Sequence, residues 1–257
     1  MKTYLKIFII TLILLFATFF GNMYLKMSEP LNEKSKEISF NGKKSKEERS
    51  QKYFEKLYVY GAFDVELIES NESKVVIEAS QEVLPLIKTD NRENRLWVYS
   101  NNDLINTKKP EVKIVVYYRR IGYLLAKNAT ITSKKVIDCA KYSFGIETTS
   151  AKIDVQLICD DLYVNSSKSH IKIKGKANLL NLMLNRDNLD ALDFVSNSGE
   201  IRMTDSSVAK INVVKTIAID DADLQSTVFY KGSPSIINNC KTNNVLHFNE
   251  ADKSSDK

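Results

Sequence analysis

The chain has 257 residues, 43% of them hydrophobic, with a mean hydropathy of −0.26, which excludes disorder throughout and leaves room for one sizeable domain or two small ones. Its 37 basic and 32 acidic residues leave a net charge of +5, too evenly mixed to signal the concentrated basic face that nucleic acid requires.

At the N-terminus Lys2 and Lys6 precede Ile7–Phe20, an apolar run broken only by Thr11 and Thr18. A charged start followed by an apolar core of this length marks an export segment. Gly21-Asn22-Met23 offers no small-x-small cleavage site, and Met23–Leu25 lengthen the stretch towards that of a membrane span. Residues 1–25 are therefore expected to be either a cleaved signal peptide or a retained anchor touching the membrane through residues 7–25. The remainder would lie in the periplasm or at the cell surface. No cysteine lies in or just after this segment, which argues against a lipid anchor. Residues 26–51, rich in Lys, Glu, Ser and Asn, show no sustained apolar period and read as a solvated tether. Within it, Gly42-Lys43-Lys44-Ser45 lacks the first glycine and the preceding strand of a phosphate-binding loop.

Over residues 52–122 the apolar period falls to two. Leu57, Val59, Gly61, Phe63, Val65 and Leu67 alternate with Tyr58, Tyr60, Ala62, Asp64 and Glu66, which predicts a strand with one buried face. Lys74–Ala79, Leu96–Tyr99 and Val112–Tyr118 continue the series, separated by Asn71-Glu72-Ser73, by Asp90-Asn91 and by a loop over 101–110. Gln81–Ile87 has room for a turn or two of helix at most, because Pro85 interrupts it.

Residues 123–241 are short strands broken by small polar turns, a pattern that calls for an internal repeat. Thr149–Val155, Ser167–Ile173 and Asn197–Met203 each read as a polar turn followed by an alternating strand. Ile153, Ile171 and Leu189 lie 18 residues apart; Ile201 follows 12 later and Leu224 another 23. A rung of that length cannot bury its apolar side chains alone, and stacking rungs in a parallel β-solenoid does so. The predicted fold is all-β, a parallel β-helix of irregular short rungs, with an antiparallel β-sandwich as the competing architecture. Residues 242–257 read as a polar tail.

Phe54-x-x-Leu57-x-Val59-x-Gly61-x-Phe63-Asp64-Val65-x-Leu67, then Val75–Ala79, Leu96-Trp97-Val98, the serial rungs and Val228–Pro234 together resemble the head GIN domain family. These domains are described as autotransporter adhesin heads and abound in Bacteroidota. The resemblance spans roughly residues 53–236. It implies an exported protein with a right-handed β-solenoid and no established activity, and it carries over no catalytic residues. Only Ser198-Gly199 keeps the Ser-Gly pair that family rungs often repeat, and Tyr117-Tyr118-Arg119-Arg120 stand where a less charged strand end is usual.

Enzymatic signatures are lacking. His170 and His247 are the only histidines, so no metal site or cofactor is expected, and His170 reads as a surface imidazole. No nucleophile elbow or metalloprotease histidine pair occurs. Asp160-Asp161, Asp187-Asp190-Asp193 and Asp220-Asp221-Asp223 are read as corner residues rather than as the paired carboxylates of a polysaccharide-cleaving site or a calcium site. Cys139, Cys159 and Cys240 form an odd set; a Cys139–Cys159 disulfide between neighbouring rungs is geometrically allowed but not favoured over buried thiols. Lys108-Lys109, Lys113 and Arg119-Arg120 gather with Tyr117, Tyr118 and Tyr123. This cluster reads first as a charge-protected strand edge, and Tyr117, Arg119 and Arg120 are the candidate ligand-binding residues. The expected function is a non-catalytic, adhesin-like binding module for a glycan or an envelope protein, without a nucleic-acid partner. The alternative is a self-associating, homo-oligomeric structural component of the envelope. A polysaccharide-active enzyme is the least favoured reading.

Overall fold

The computed structural model describes residues 42–101, 111–240 and 244–248. The expected export segment, the tether up to residue 41 and Lys108-Lys109 lie outside the described residues. Among those described, no helix is long and apolar enough to cross a membrane.

The strands in chain order are β1 (Lys44–Ser50), β2 (Lys56–Tyr60), β3 (Asp64–Glu69), β4 (Lys74–Ser80), β5 (Ile87–Arg92), β6 (Arg95–Ser100), β7 (Lys113–Tyr118), β8 (Tyr123–Lys127) and β9 (Thr130–Cys139). They continue as β10 (Phe144–Thr149), β11 (Lys152–Cys159), β12 (Asp161–Ser167), β13 (His170–Asn185), β14 (Asn188–Thr204), β15 (Val208–Ala222), β16 (Thr227–Lys231), β17 (Ser235–Asn238) and β18 (Val245–His247). Among the described residues a single 3-10 turn, Leu84–Leu86, carries Pro85 in its first positions.

Parallel pairing winds these strands into coils whose inward residues form ladders. On one side the ladder is Leu96, Leu57, Leu124, Ile146, Val164, Leu182, Ile201 and Ile219, one residue per coil. On a second side it is Ile114, Val65, Ile131, Ile153, Ile171, Leu189, Ala209 and Val228. A third, shorter side joins the later part of β9 to β11 and then to the middle of β13, with Ile137 beside Leu157 and Leu157 beside Gly175. Nearly all of these ladder residues are fully buried, so each coil is stabilised by its neighbours rather than by itself.

This is the β-solenoid expected from the rung spacing, and its parallel registers exclude the β-sandwich. The 18-residue ladder is real: Ile153 pairs with Ile171 and Ile171 with Leu189. Ile201 belongs instead to the neighbouring side, between Leu182 and Ile219. Leu224 sits in a corner, 83% exposed, and joins no ladder. The run from Leu57 to Leu67 is also two strands rather than one. Gly61, with φ of 141°, turns the chain between β2 and β3, and because Gly61 and Phe63 still face inward the alternation survives the corner.

Corners repeat a second pattern. Asn128, Ser150, Lys168, Arg186 and Ser206 take positive φ between 53° and 65°, and each is followed by a small or polar buried residue: Ala129, Ala151, Ser169, Asp187 and Ser207. The rungs thus keep their turns although the sequence carries only one Ser-Gly pair. Gly199, from the pair that is present, lies inside β14 and not in a corner.

Two polar stretches form strands where a tether and a turn were expected. Residues 44–50 make β1, antiparallel to β4, although they carry no apolar period. Its strand is held by backbone pairing and cross-strand charges, Lys46 to Glu78 at 3.2 Å and Lys74 to Glu48 at 3.1 Å. Arg49 adds bonds to the carbonyls of Ile87 (2.8 Å) and Leu84 (3.4 Å), tying β1 to the 3-10 turn and β5. Asp90 and Asn91 lie within β5, which forms a hairpin with β6; the turn is Glu93-Asn94, both at positive φ as a type I′ turn requires. At the other end Val245–His247, assigned to the tail, add β18 beside β16, where His247 packs edge-on to Tyr230 at 5.2 Å.

Candidate functional site

The structure does not gather Tyr117, Arg119 and Arg120 into one site. Tyr117 faces outward from β7, which is an interior strand between β3 and β4, and Lys74 Nζ lies 5.3 Å from its ring centre. The charge-protected edge is β1, not β7. Arg119 Nε donates to the Asn71 carbonyl at 2.6 Å, beside Glu69, Ser70 and Lys135. Arg120 turns the other way, 3.7 Å from Glu55 and with its guanidinium 3.7 Å from the Tyr142 ring centre. Tyr53 donates to the same Glu55 at 2.5 Å, so this corner is a closed cluster of local partners.

A different set of aromatics does converge. The side carrying β6, β2, β8, β10 and β12 points Trp97, Tyr99, Tyr58, Tyr60, Tyr123 and Tyr163 outward. Tyr58 stacks on Trp97 with ring centres 5.1 Å apart and planes 19° apart, and it meets Tyr123 at 5.7 Å. Arg92 lies 5.1 Å from the Trp97 ring centre and Lys56 5.9 Å from that of Tyr123. Tyr123 rests against Gly145 on the next coil, where a Cβ would come within 2.7 Å of its Cδ2. Its hydroxyl donates to Glu147, and burial together with that bond raises the Tyr123 pKa. Tyr163, 44% exposed, stands beyond Gly145. Sequence reading passed over this face because its members come from strands spread over more than a hundred residues. The outward alternation of Tyr58 and Tyr60 with buried Leu57 and Val59 was the available signal.

The aspartates are held by local partners or by partners on neighbouring coils. Asp160 accepts from the Asn178 side chain, and Asn178 in turn accepts from Asn197 at 3.0 Å. Asp187 is buried and accepts from Ser166 Oγ (2.8 Å), Ser169 N (2.7 Å) and Asn185 N (2.7 Å). Asp220 faces Arg202 at 3.4 Å and Asn239 at 3.1 Å, while Asp223 accepts from the amides of Asp205, Gln225 and Ser226. Among the described residues no group of three or more His, Cys, Asp or Glu is placed to hold a metal ion. Cys139 and Cys159 are neighbours in register, buried and free, and burial pushes their thiols up to about 11 and about 12. Cys240 is free and half-buried, and His170 is exposed.

The fold is that of an all-β, parallel β-solenoid module with almost no helix among the described residues, carrying an outward aromatic face on the side of β6, β2 and β8. Residues 53–234 match the family model described as "Putative auto-transporter adhesin, head GIN domain", and the chain belongs to that family. No curated protein matches the sequence. Among solved structures, a "putative adhesin" from Bacteroides fragilis is similar with a TM-score of 0.69 at 17% identity, covering 76% of this chain and 93% of that one. Another "putative adhesin", from Parabacteroides merdae, gives 0.59 at 14%, with coverage of 77% and 95%. A "putative lipid binding protein" from Parabacteroides distasonis gives 0.57 at 13%, with coverage of 80% and 98%. At these identities the likeness concerns the fold.

Proposed function

We propose that the chain is an exported, adhesin-like binding module of the cell envelope, which recognises its partner through the outward aromatic face and catalyses no reaction. The observation that carries this reading is the cluster of Trp97, Tyr58 and Tyr123 on one sheet face, with Tyr123 held in place by Gly145 and Glu147. Contiguous outward aromatics on a rigid sheet offer a large contact area that loses little conformational freedom on binding. The family description supports an adhesin. Structural hydrogen bonds and ion pairs already occupy Asp160, Asp187, Asp220 and Asp223, which leaves these carboxylates poorly suited to acid–base work. An export segment at residues 1–25 would place the module in the periplasm or at the surface, with residues 7–25 at the membrane. The partner is a glycan or an envelope protein rather than nucleic acid.

The test is binding of the purified chain to isolated envelope polymers and envelope proteins, with Tyr58→Ala and Trp97→Ala in parallel. Saturable binding lost in both variants, with folding retained, is the expected result. Equal binding by the variants would remove the aromatic face from the reading. A second reading, self-association, draws on the last coil, where Ile236, Ile237 and Leu246 are exposed. A concentration-dependent mass in solution that falls on Ile237→Lys would favour it.

A further inference from the structure

Resting on the aromatic face as the binding surface, we infer that its ligand is a linear β-1,4-linked glycan lying along the solenoid axis, across successive coils. Parallel registers set outward side chains in straight rows. One row runs Lys56, Tyr123, Gly145, Tyr163, Asn181, Glu200, one residue per strand. Neighbouring strands are about 4.8 Å apart, so Tyr123 and Tyr163, on either side of Gly145, are rooted about 9.6 Å apart. That is close to the disaccharide repeat of an extended β-1,4 chain, in which alternate sugars present the same face. Gly145 carries no side chain of its own, and the Tyr123 ring leans over it, so no third side chain stands between the two tyrosines in the row.

The two tyrosines therefore meet alternate sugars. The C–H face of a pyranose is drawn to the electron-rich face of an aromatic ring. Hydroxyls at the sugar edges need polar partners, and the same surface supplies them. Glu147 and Asn165 lie on the strands of Gly145 and Tyr163, in register with each other, while Asn181 donates to Glu200 at 2.7 Å further along the row. Tyr123 is fixed in advance by its bond to Glu147, which lowers the ordering cost of binding. A monosaccharide reaches one ring. A chain long enough to reach both gains the second contact as an intramolecular event, so affinity climbs with length until both are engaged.

Trp97 is the only tryptophan in the chain and stacks on Tyr58, which meets Tyr123, so its emission reports on this face. The experiment titrates the full chain with β-1,4-linked glucose, N-acetylglucosamine and mannose series, from monosaccharide to hexasaccharide, following Trp97 fluorescence and calorimetry. The expected result is an affinity gain of about tenfold or more between the disaccharide and the tetrasaccharide in at least one series. Tyr163→Ala, a change at an exposed position, should abolish that gain while leaving the melting temperature unchanged. Affinity independent of length, no binding in any series, or a gain that survives Tyr163→Ala overturns the inference. If an isolated envelope protein perturbs Trp97 while every oligosaccharide fails, the glycan is wrong and the adhesin reading stands. If neither perturbs Trp97, both fall.

Discussion

Tyr123 lies against Gly145, the glycine one coil further along the same outward row, and the ring occupies the space a side chain at 145 would need. A Cβ there would sit 2.7 Å from Tyr123 Cδ2 and 3.2 Å from Cε2. Gly145→Val should therefore push the ring outward, break its bond to Glu147 and shift Trp97 emission through Tyr58. Because the ring is half-exposed it can move, so the cost in stability should stay near the low end of the roughly 1–3 kcal/mol that overpacking costs in a core. Fluorescence and thermal melting on one sample check both parts.

The corrected ladder registers make a sharp contrast between apolar positions that look alike in sequence. Ile171 is stacked between Ile153 and Leu189 and is 2% exposed. Ile171→Ala should cost about 2–5 kcal/mol, through lost burial and an unfilled space between coils. Leu224, 83% exposed, should tolerate Ala within about 0.5 kcal/mol. Urea unfolding of the two variants checks the assignment, and comparable losses would contradict it.

What was legible in the sequence followed from how each strand is stabilised. Ile153, Ile171 and Leu189 announced their ladder because the coils that hold them are of equal length. Ile201 and Leu224 were misplaced because one coil presents several sides, and a list of apolar residues does not say which side each faces. β1 and β5 escaped notice because cross-strand charges, backbone pairing and a type I′ turn hold them, and none of these produces an apolar period. Tyr117, Arg119 and Arg120 are adjacent in sequence, yet the strand end and corner send them to three different sets of partners. The aromatic face has the opposite character. Trp97, Tyr58 and Tyr123 are far apart along the chain and become neighbours only through the register.

Backbone conformation predicts opposite outcomes for two substitutions involving glycine. Lys168 holds φ of 56°, a left-handed conformation that costs an ordinary residue about 1 kcal/mol. Lys168→Gly removes that strain and adds chain entropy to the unfolded state, so the net change should be small and stabilising, within about 1 kcal/mol. Gly175, with φ of 123°, sits where a Cβ would collide with the Leu157 carbonyl oxygen. Gly175→Ala should destabilise by more than the roughly 1 kcal/mol typical of an ill-suited Gly-to-Ala change, because the obstacle is backbone. Opposite shifts in melting temperature are expected.

Two aspartates should give opposite pH dependences. Burial raises the pKa of Asp187 above its ordinary 3.8, and the hydrogen bonds from Ser169, Ser166 and Asn185 only partly offset this. A carboxyl whose folded pKa exceeds its unfolded one favours folding most when protonated. Its contribution is complete below 3.8 and is lost as pH rises through the raised folded value. Asp223 is the reverse: the hydrogen bond from Ser226, with backbone amides of Asp205, Ser226 and Gln225, holds its pKa below 3.8. Its contribution is complete above 3.8 and is lost as pH falls through the depressed value. Stability measured by urea unfolding from acid to neutral pH should therefore show the gap between the native chain and Asp223→Asn widening as pH rises. The gap to Asp187→Asn should narrow over the window above 3.8 and then level off, leaving a residual loss of about 1–3 kcal/mol where the amide meets the Asn185 N–H donor-to-donor. A gap to Asp187→Asn that widens with pH would mean that the hydrogen bonds outweigh burial at this corner.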